Sequence, residues 1–592
     1  MKNKAIELFD TTLRDGTQGE GVNLSVEDKI RLAKRLDDFG INIIEGGWPG
    51  SNPRDKSFFK KIKSINLKQS EICAFGSTAR KLSNVEGDHN LLSLLEAEVG
   101  VITIFGKTWQ LHSKHGLGIS DLDNAKLIER SVAFLSKNGV RVIFDAEHFF
   151  DGYQQSESFA LEMLDAAVNG GADTLVLCDT NGGSLPNNIY DVTRKVVERY
   201  SLPIGIHSHN DSGLAAANTL TAVSAGALHV QGTINGVGER CGNVSLATVI
   251  PNLVLKMNVT TKTDLKLPNL ASLVSFTYDI MNMHPNTQAP FIGKSAFAHK
   301  GGIHVSAVMK NSSMYEHIKP DIVGNKQRVL VSDLSGKSNI SFKANELNIN
   351  FKNSKEITGK LISKVKDLEF KGYQFEAADA SLELIIRELS GEYSPFFTVI
   401  DSNVHISHGE NDSAKSDATL KVLVDGDIEH TASDGDGPVD ALNNALRKAL
   451  SRFFPHLKDV RLTDYKVRVL NEQEGTGAKV RVLIESTYGD ESWSTIGVSK
   501  NIIDASRQAL SDSFNFRLAQ ISKWRKKAVK NYNQLNKDMP LTKKNKNNYS
   551  STSLTEDDGQ SKKLEEKIVT NKTGSKSAFS KDVNDPSERG HD

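Results

Sequence analysis

One rhythm runs through about the first 250 residues and limits the fold more than any other feature: a short apolar run, then an amphipathic stretch of helical period, recurring roughly every 25 to 40 residues. The apolar runs begin near Ile6, Ile43, Ile72, Val101, Val140, Thr174, Ile204 and His229. Helical patterns follow them, for example over Val26–Phe39, where Ser25 is placed to cap the first turn, and over 127–138. Strands that alternate with helices imply a parallel sheet, because a parallel pair needs a crossover long enough to hold a helix. Eight such units predict a closed (β/α)8 barrel of the TIM type over residues 1–266 in preference to an open sheet.

In such a barrel the loops after the strands form one face, so residues far apart in sequence converge on one pocket. Polar residues gather at those positions: Arg14 and Asp15, Glu45, Glu147, Thr180, His207 and His209, Asn243. A strand has a side-chain period of two, so His207 and His209 point the same way and can share one ion through two imidazole nitrogens. Asp15 ends the first strand's loop, and barrel closure brings it within one strand of the histidines. Two imidazoles and one carboxylate leave open positions on a divalent ion, the arrangement that chelates a substrate. Arg14 sits beside Asp15, where its guanidinium could steady an oxyanion that also touches the ion. The Gly-rich stretch Asn235-Gly236-Val237-Gly238-Glu239-Arg240-Cys241-Gly242-Asn243 lacks the third glycine of a dinucleotide fingerprint, and it follows the last strand, not the first. It reads as a tight turn that carries Glu239, Arg240 and Asn243 into the barrel mouth.

At 592 residues the chain exceeds what one core serves, and about three or four domains are expected. Lys plus Arg and Asp plus Glu are both 73, which removes the basic footprint of a nucleic-acid binder and favours a small-molecule partner. Three separated cysteines, Cys73, Cys178 and Cys241, form neither a disulfide framework nor a Cys-x-x-Cys site, as expected in a reducing cytoplasm. Neither a signal-like apolar start nor an apolar run of about 18 residues is found, so an untargeted protein without a membrane span is expected. Residues 267–389 read as a linker with small helical subdomains. Residues 390–522 read as an α+β module with two copies of strand, strand, helix at 418–450 and 478–514. Residues 523–592, rich in Lys, Asn and Ser, read as a disordered tail.

Taken together, Thr12-Leu13-Arg14-Asp15-Gly16, His207-Ser208-His209-Asn210-Asp211 and Gln231-Gly232-Thr233 running to Gly238-Glu239-Arg240-Cys241-Gly242-Asn243 resemble the signature of the 2-isopropylmalate, homocitrate and citramalate synthases, over roughly residues 4–520. Within that family Glu45-Gly46-Gly47-Trp48-Pro49-Gly50-Ser51-Asn52-Pro53 resembles a citramalate subgroup, since leucine-pathway members carry Glu-Val-Gly-Phe-Pro there. The resemblance implies a Claisen-type condensation of acetyl-CoA with pyruvate, and hydrolysis of the thioester to citramalate and CoA. It implies a divalent metal, Mn, Mg, Co or Zn, on Asp15, His207 and His209, with Asn243 as a further ligand or near-ligand. It implies that Arg14 holds the keto oxygen, that Thr180 contacts the oxoacid carboxylate, that Glu45 joins the substrate-binding set and that Glu147 positions acetyl-CoA or orders the site. Gly302-Ile303-His304 resembles the segment whose histidine serves in the base system, of this or a neighbouring subunit, with Tyr315 beside it. Many relatives carry Asp where Ser306 stands; His299 is a nearby competitor that reads more simply as a structural loop residue. The duplicated C-terminal domain of related synthases implies feedback by an end product, here isoleucine, and a homodimer. The segments Asp434-Gly435-Asp436-Gly437-Pro438 and Ser494-Thr495-Ile496-Gly497-Val498 are each expected just before a helix, where free N–H groups could receive its carboxylate. Alternatives are a 2-isopropylmalate synthase acting on 2-oxoisovalerate, an acyl-CoA lyase running the reverse cleavage, and a non-catalytic amino-acid-binding regulator.

Overall fold

The structure is a computed structural model that describes residues 5–347, 354–408, 414–470, 472–489 and 491–537. Strands β1 (Glu7–Asp10), β2 (Ile43–Gly47), β3 (Glu71–Ser77), β4 (Val101–Lys107), β5 (Arg141–Glu147), β6 (Thr174–Asp179), β7 (Ile204–Ser208) and β8 (His229–Gly232) pair in sequence order into a closed barrel. Closure is parallel, with Glu7 opposite His229 and Asp10 opposite Gly232. The helices between them are α1 (Val26–Phe39), α2 (Pro53–Ile62), α3 (His89–Glu96), α4 (Asp121–Lys137), the tandem α5 (Phe149–Gln155) and α6 (Glu157–Gly170), α7 (Pro186–Arg199) and α8 (Ala215–Ala225). Ser25 caps α1 through a capping box with Asp28, and Gly40 ends it at φ 112°. Helix α4 begins at Asp121, six residues before the expected 127, because its first turn is polar and is set by the Ser120 cap.

Alternation along the strands separates two cores. Leu8, Val142, Phe144 and Ala146 face outward and pack under the helices. Phe9, Ile43, Cys73, Val101, Ile143 and Val176 face inward and fill the barrel. At the N-terminal end Glu7 is held by Arg141 at 2.9 and 2.6 Å, by His229 Nδ1 at 2.8 Å and by Lys262 at 2.7 Å. Burial alone would raise its pKa, but these donors hold the carboxyl far below the carboxylate range. The interior is thus closed by an ion cluster at one end, and only the opposite end is open to chemistry.

Beyond the barrel, α9 (Leu246–Pro251) and α10 (Leu270–Ile280) lead into a helical region of α11 (Gly302–Lys310), α12 (Lys337–Glu346), α13 (Ser354–Phe370) and α14 (Asp379–Leu389). A two-residue parallel pair, β9 (Ala298–His299) and β10 (Arg328–Val329), lies within it. The C-terminal module corrects the expectation of two strands per repeat. Each repeat has three antiparallel strands and a helix: β11 (Thr398–His408), β12 (Ala414–Val424), β13 (Asp427–Gly435) and α15 (Pro438–Ser451), then β14 (Arg461–Val469), β15 (Val480–Tyr488), β16 (Glu491–Ser499) and α16 (Ile502–Lys537). The missed first strands are mostly exposed and carry no clean alternation. Residues 434–438 do precede a helix, whereas 494–498 lie inside β16 with their residues paired to β15, so no free helix N-terminus exists there. Helix α16 runs through the first residues of the expected tail, and the rest of it, 538–592, lies outside the described residues. Among the described residues no helix is long and apolar enough to cross a membrane.

Candidate active site

Strand β7 delivers His207 into the barrel, and His209 follows one residue past its end. The turn after β1 brings Asp15 to them: His207 Nε2 lies 3.4 Å and His209 Nε2 4.0 Å from Asp15 Oδ2, and the two Nε2 atoms are 3.2 Å apart. All three are buried, and they form the one cluster of metal-ligand type found among the described residues. Burial works to raise the Asp15 pKa, but Arg14 and the two histidines hold it far below the ordinary range. Burial and the neighbouring His207 lower His209 to about 3, so it stands as a neutral imidazole. Burial also acts to lower His207, yet the carboxylate of Asp15 outweighs it and raises the pKa.

The supporting contacts come from Gln231 and Asp145, to which the sequence reading gave no task, and from the Gly-rich loop that it placed at the barrel mouth. Gln231 on β8 places Oε1 2.8 Å from His207 Nδ1, and its amide donates to Asp145 Oδ1 at 3.0 Å. A proton on Nδ1 is then satisfied and Nε2 faces Asp15, the orientation that metal-binding imidazoles receive from their outer partners. The Gly-rich loop bends through Gly236 and Gly242, both at positive φ, and Asn243 bridges to His209 along the backbone. Asn243 Oδ1 is buried without a partner. A buried orphan oxygen on the residue bridged to His209, together with the two imidazoles and the carboxylate, fits a divalent cation, and this nitrogen and oxygen set suits Mn, Mg, Co or Zn alike. Arg240, on the same loop, binds Asp211 at 2.7 and 3.0 Å, the Thr180 carbonyl at 2.7 Å and His209 Nδ1 at 2.9 Å.

Arg14 lies flat over Phe75, its guanidinium carbon 3.6 Å from the ring centroid, and reaches Asp15 at 3.2 Å and Glu45 at 2.6 Å. Glu45, expected among the substrate-binding residues, is fully buried; its Oε2 accepts from Arg14 Nε, and its Oε1 has no partner. Burial raises its pKa to about 7 although Arg14 opposes the shift. Glu147, at the end of β5, pairs with Lys107 on β4. Thr180 accepts the backbone N–H of His148 at 2.8 Å on its hydroxyl, and His148 sits at φ 58°, a strained conformation at the barrel mouth.

His304 and Tyr315 are brought together, with ring centroids 4.4 Å apart, but on an exposed face of the helical region. Among the described residues no hydrogen bond, ion pair or ring contact joins either to the Asp15 cluster. His299, which reads more simply as a structural residue, has Nε2 3.0 Å from Glu316 Oε1, which also takes Gln327 at 2.7 Å. These contacts pin Glu316, the residue next to Tyr315.

A sequence profile described as HMGL-like matches residues 5–276, one described as homocitrate synthase post-HMGL domain-like matches 291–372, and one described as LeuA allosteric (dimerisation) domain matches 376–518. The chain is 51% identical over 514 residues to an (R)-citramalate synthase of Geobacter sulfurreducens, covering 87% of this chain and 97% of that one. It is 51% identical over 515 residues to an (R)-citramalate synthase of Aquifex aeolicus, covering 87% and 98%. A 2-isopropylmalate synthase of Methanocaldococcus jannaschii is 32% identical over 525 residues, covering 88% and 96%. The barrel with its histidine and aspartate cluster, the three matched domains and the end-to-end likeness agree: the chain belongs to the 2-isopropylmalate and homocitrate synthase family and, within it, groups with the (R)-citramalate synthases.

Proposed function

We propose that this chain joins the methyl carbon of acetyl-CoA to the carbonyl carbon of pyruvate and hydrolyses the resulting thioester, releasing (R)-citramalate and CoA. The observation that carries the reading is the convergence of Asp15, His207 and His209 beside Arg14 at the open end of a barrel whose relatives at 51% identity carry that name. A divalent cation on Asp15, His207 and His209, with Asn243 beside it, would supply Lewis acidity toward the oxoacid carbonyl. Arg14 holds the keto oxygen and neutralises it as negative charge develops, and Glu45 keeps the guanidinium in place. Thr180 faces the carboxylate, and Glu147, with Lys107, orders the acetyl-CoA side.

The methyl proton passes to a base system that includes His304 and Tyr315. Both are exposed and stand amid Ile303, Met309 and Met314, also exposed, which supports delivery to a barrel mouth across a contact between two copies. Ile400, Ile406, Ile428, Val467 and Val469 are exposed on the C-terminal sheets and further support a homodimer. We assign isoleucine, the end product expected of a citramalate route, as the effector of that module; the allosteric domain matched there supports an effector site and does not name its ligand. We place the protein in a reducing cytoplasm, on the three unpaired cysteines. The test is metal-dependent release of free CoA, followed with a thiol reagent across oxoacids. Pyruvate is expected to give the highest kcat/KM; release only with 2-oxoisovalerate would replace the reading by the leucine-pathway activity, and no release with any oxoacid would leave a regulator.

A further inference from the structure

The segment that marks the subgroup in the sequence places Trp48 directly after β2, where the condensation itself gives it no task. Its ring stands edge-on to Phe75 of β3 and Phe105 of β4, with centroids 5.7 and 5.8 Å away at interplanar angles of 84° and 83°. Phe75 and Phe105 stack on each other at 5.5 Å. The three rings form one wall across β2, β3 and β4, and Arg14 lies on its Phe75 panel. An oxoacid held through Arg14 would therefore stand beside this aromatic wall.

That wall is fixed from two sides. The indole Nε1 donates to Asn90 Oδ1 at 2.7 Å, and the Asn90 amide donates to the Ser77 carbonyl at 2.7 Å, which keeps the oxygen turned toward Trp48. The Trp48 backbone N–H donates to Asp55 Oδ2 at 2.8 Å. The other Asp55 oxygen takes Lys29 Nζ at 2.5 Å, and Lys29, itself buried, also reaches the Gly46 carbonyl at 3.2 Å. The close approach requires glycine: a Cβ at Gly46 would lie 2.3 Å from Phe58 Cε1, and one at Gly47, at φ +148°, would lie 2.4 Å from the Asp55 carboxyl carbon. A ring anchored at both its backbone and its N–H cannot back away to admit a larger substituent, so it discriminates by volume.

We propose that Trp48 is the residue that sets the size limit of the 2-oxoacid pocket, and that Asn90 and the Lys29–Asp55 pair are positioning residues that hold its indole against Phe75 and Phe105; this rests on the condensation proposed above. The experiment compares kcat/KM for pyruvate and 2-oxobutanoate in the wild-type chain and in Trp48→Leu, Trp48→Phe and Asn90→Leu, with 2-oxoisovalerate as a third substrate. In Trp48→Leu the ratio of 2-oxobutanoate to pyruvate is expected to rise about tenfold, the effect of one methylene at a pocket wall. Asn90→Leu keeps the indole but frees it, and shifts the ratio the same way by less. Equal loss for both substrates, with the ratio held within about twofold, is what a purely structural role gives, and it overturns the proposal. If Trp48→Leu fails to fold, Trp48→Phe and Asn90→Leu decide the question by the same ratio. A wild-type chain that ignores pyruvate overturns the substrate reading instead, and shows this before any variant is made.

Discussion

A buried imidazole binds a cation only through a nitrogen without a proton, and at His207 that choice depends on Gln231. Its oxygen accepts at Nδ1 while its amide is committed to Asp145, so the pair of contacts turns Nε2 toward Asp15. Gln231→Leu should weaken Mn binding about 10- to 100-fold in calorimetric titration, the usual effect of losing an outer partner, and Gln231→Glu should recover part of it. An unchanged affinity in Gln231→Leu would remove the proposed orienting role. His207→Ala or His209→Ala removes a proposed metal ligand, and turnover should vanish while the circular dichroism spectrum is retained. Arg14 presents a planar fork to Asp15 and Glu45 and lies flat on Phe75, none of which a lysine ammonium reproduces. Arg14→Lys should therefore lower kcat more than it raises KM; a change confined to KM would make Arg14 a ground-state binder.

Among the elements, α1 begins with a reciprocal cap in which Ser25 Oγ accepts the Asp28 N–H at 3.1 Å and Asp28 Oδ2 accepts the Ser25 N–H at 3.2 Å. Ser25→Ala should lower stability by about 1 kcal/mol. In α16, Asp512 is half-buried and accepts from Ser381 Oγ of α14 at 2.6 Å; desolvation raises its pKa to about 7, although that hydrogen bond opposes the shift. A raised acid pKa means that the folded chain keeps a proton which the unfolded chain releases near pH 4. Stability from this site is therefore complete below about pH 4 and falls as pH rises toward about 7. Asp512→Asn, which stays neutral, should match the wild-type apparent Tm near pH 4 and exceed it at pH 8. A variant no more stable than wild type at pH 8 would show that the Asp512 carboxyl is not a destabilising charge.

At the scale of the molecule, the helical region and the C-terminal module share a core. Leu483, Ile496 and Val498 of the second sheet pack with Val331, Leu361, Phe375 and Ile386, and α14 also contributes Ala380 and Leu384 to the core of the module itself. Cutting the chain near Leu389 would expose both surfaces, so effector binding is best measured on the whole chain. Isoleucine should give heat in calorimetry and lower kcat; no heat with isoleucine, leucine or valine would leave dimerisation as the module's task. Residues 538–592 lie outside the described residues and are rich in Lys, Asn and Ser, and deleting them should leave kcat/KM unchanged.

Much of the architecture was legible along the chain. Each barrel strand begins within one residue of its apolar run, and Val26–Phe39 is helical over its whole expected length, because periods of 2 and 3.6 are properties of neighbouring residues. The His207 and His209 spacing and the clustering of polar residues after strands were legible for the same reason. The three strands of each C-terminal repeat were not, since β11 and β14 are exposed and have little alternation to read. Nor were the tasks of Gln231, Glu316, Asn90 and Lys29, or the contact of Glu45 with Arg14. Those rest on contacts such as Gln231 to Asp145, 86 residues apart, or His229 to Glu7, 222 apart. Local pattern by itself determined which elements form and which residue types face the barrel mouth. Only closure of the barrel decided which of them touch, because a side chain's partners across the pocket depend on strand register and packing that no neighbouring residue encodes.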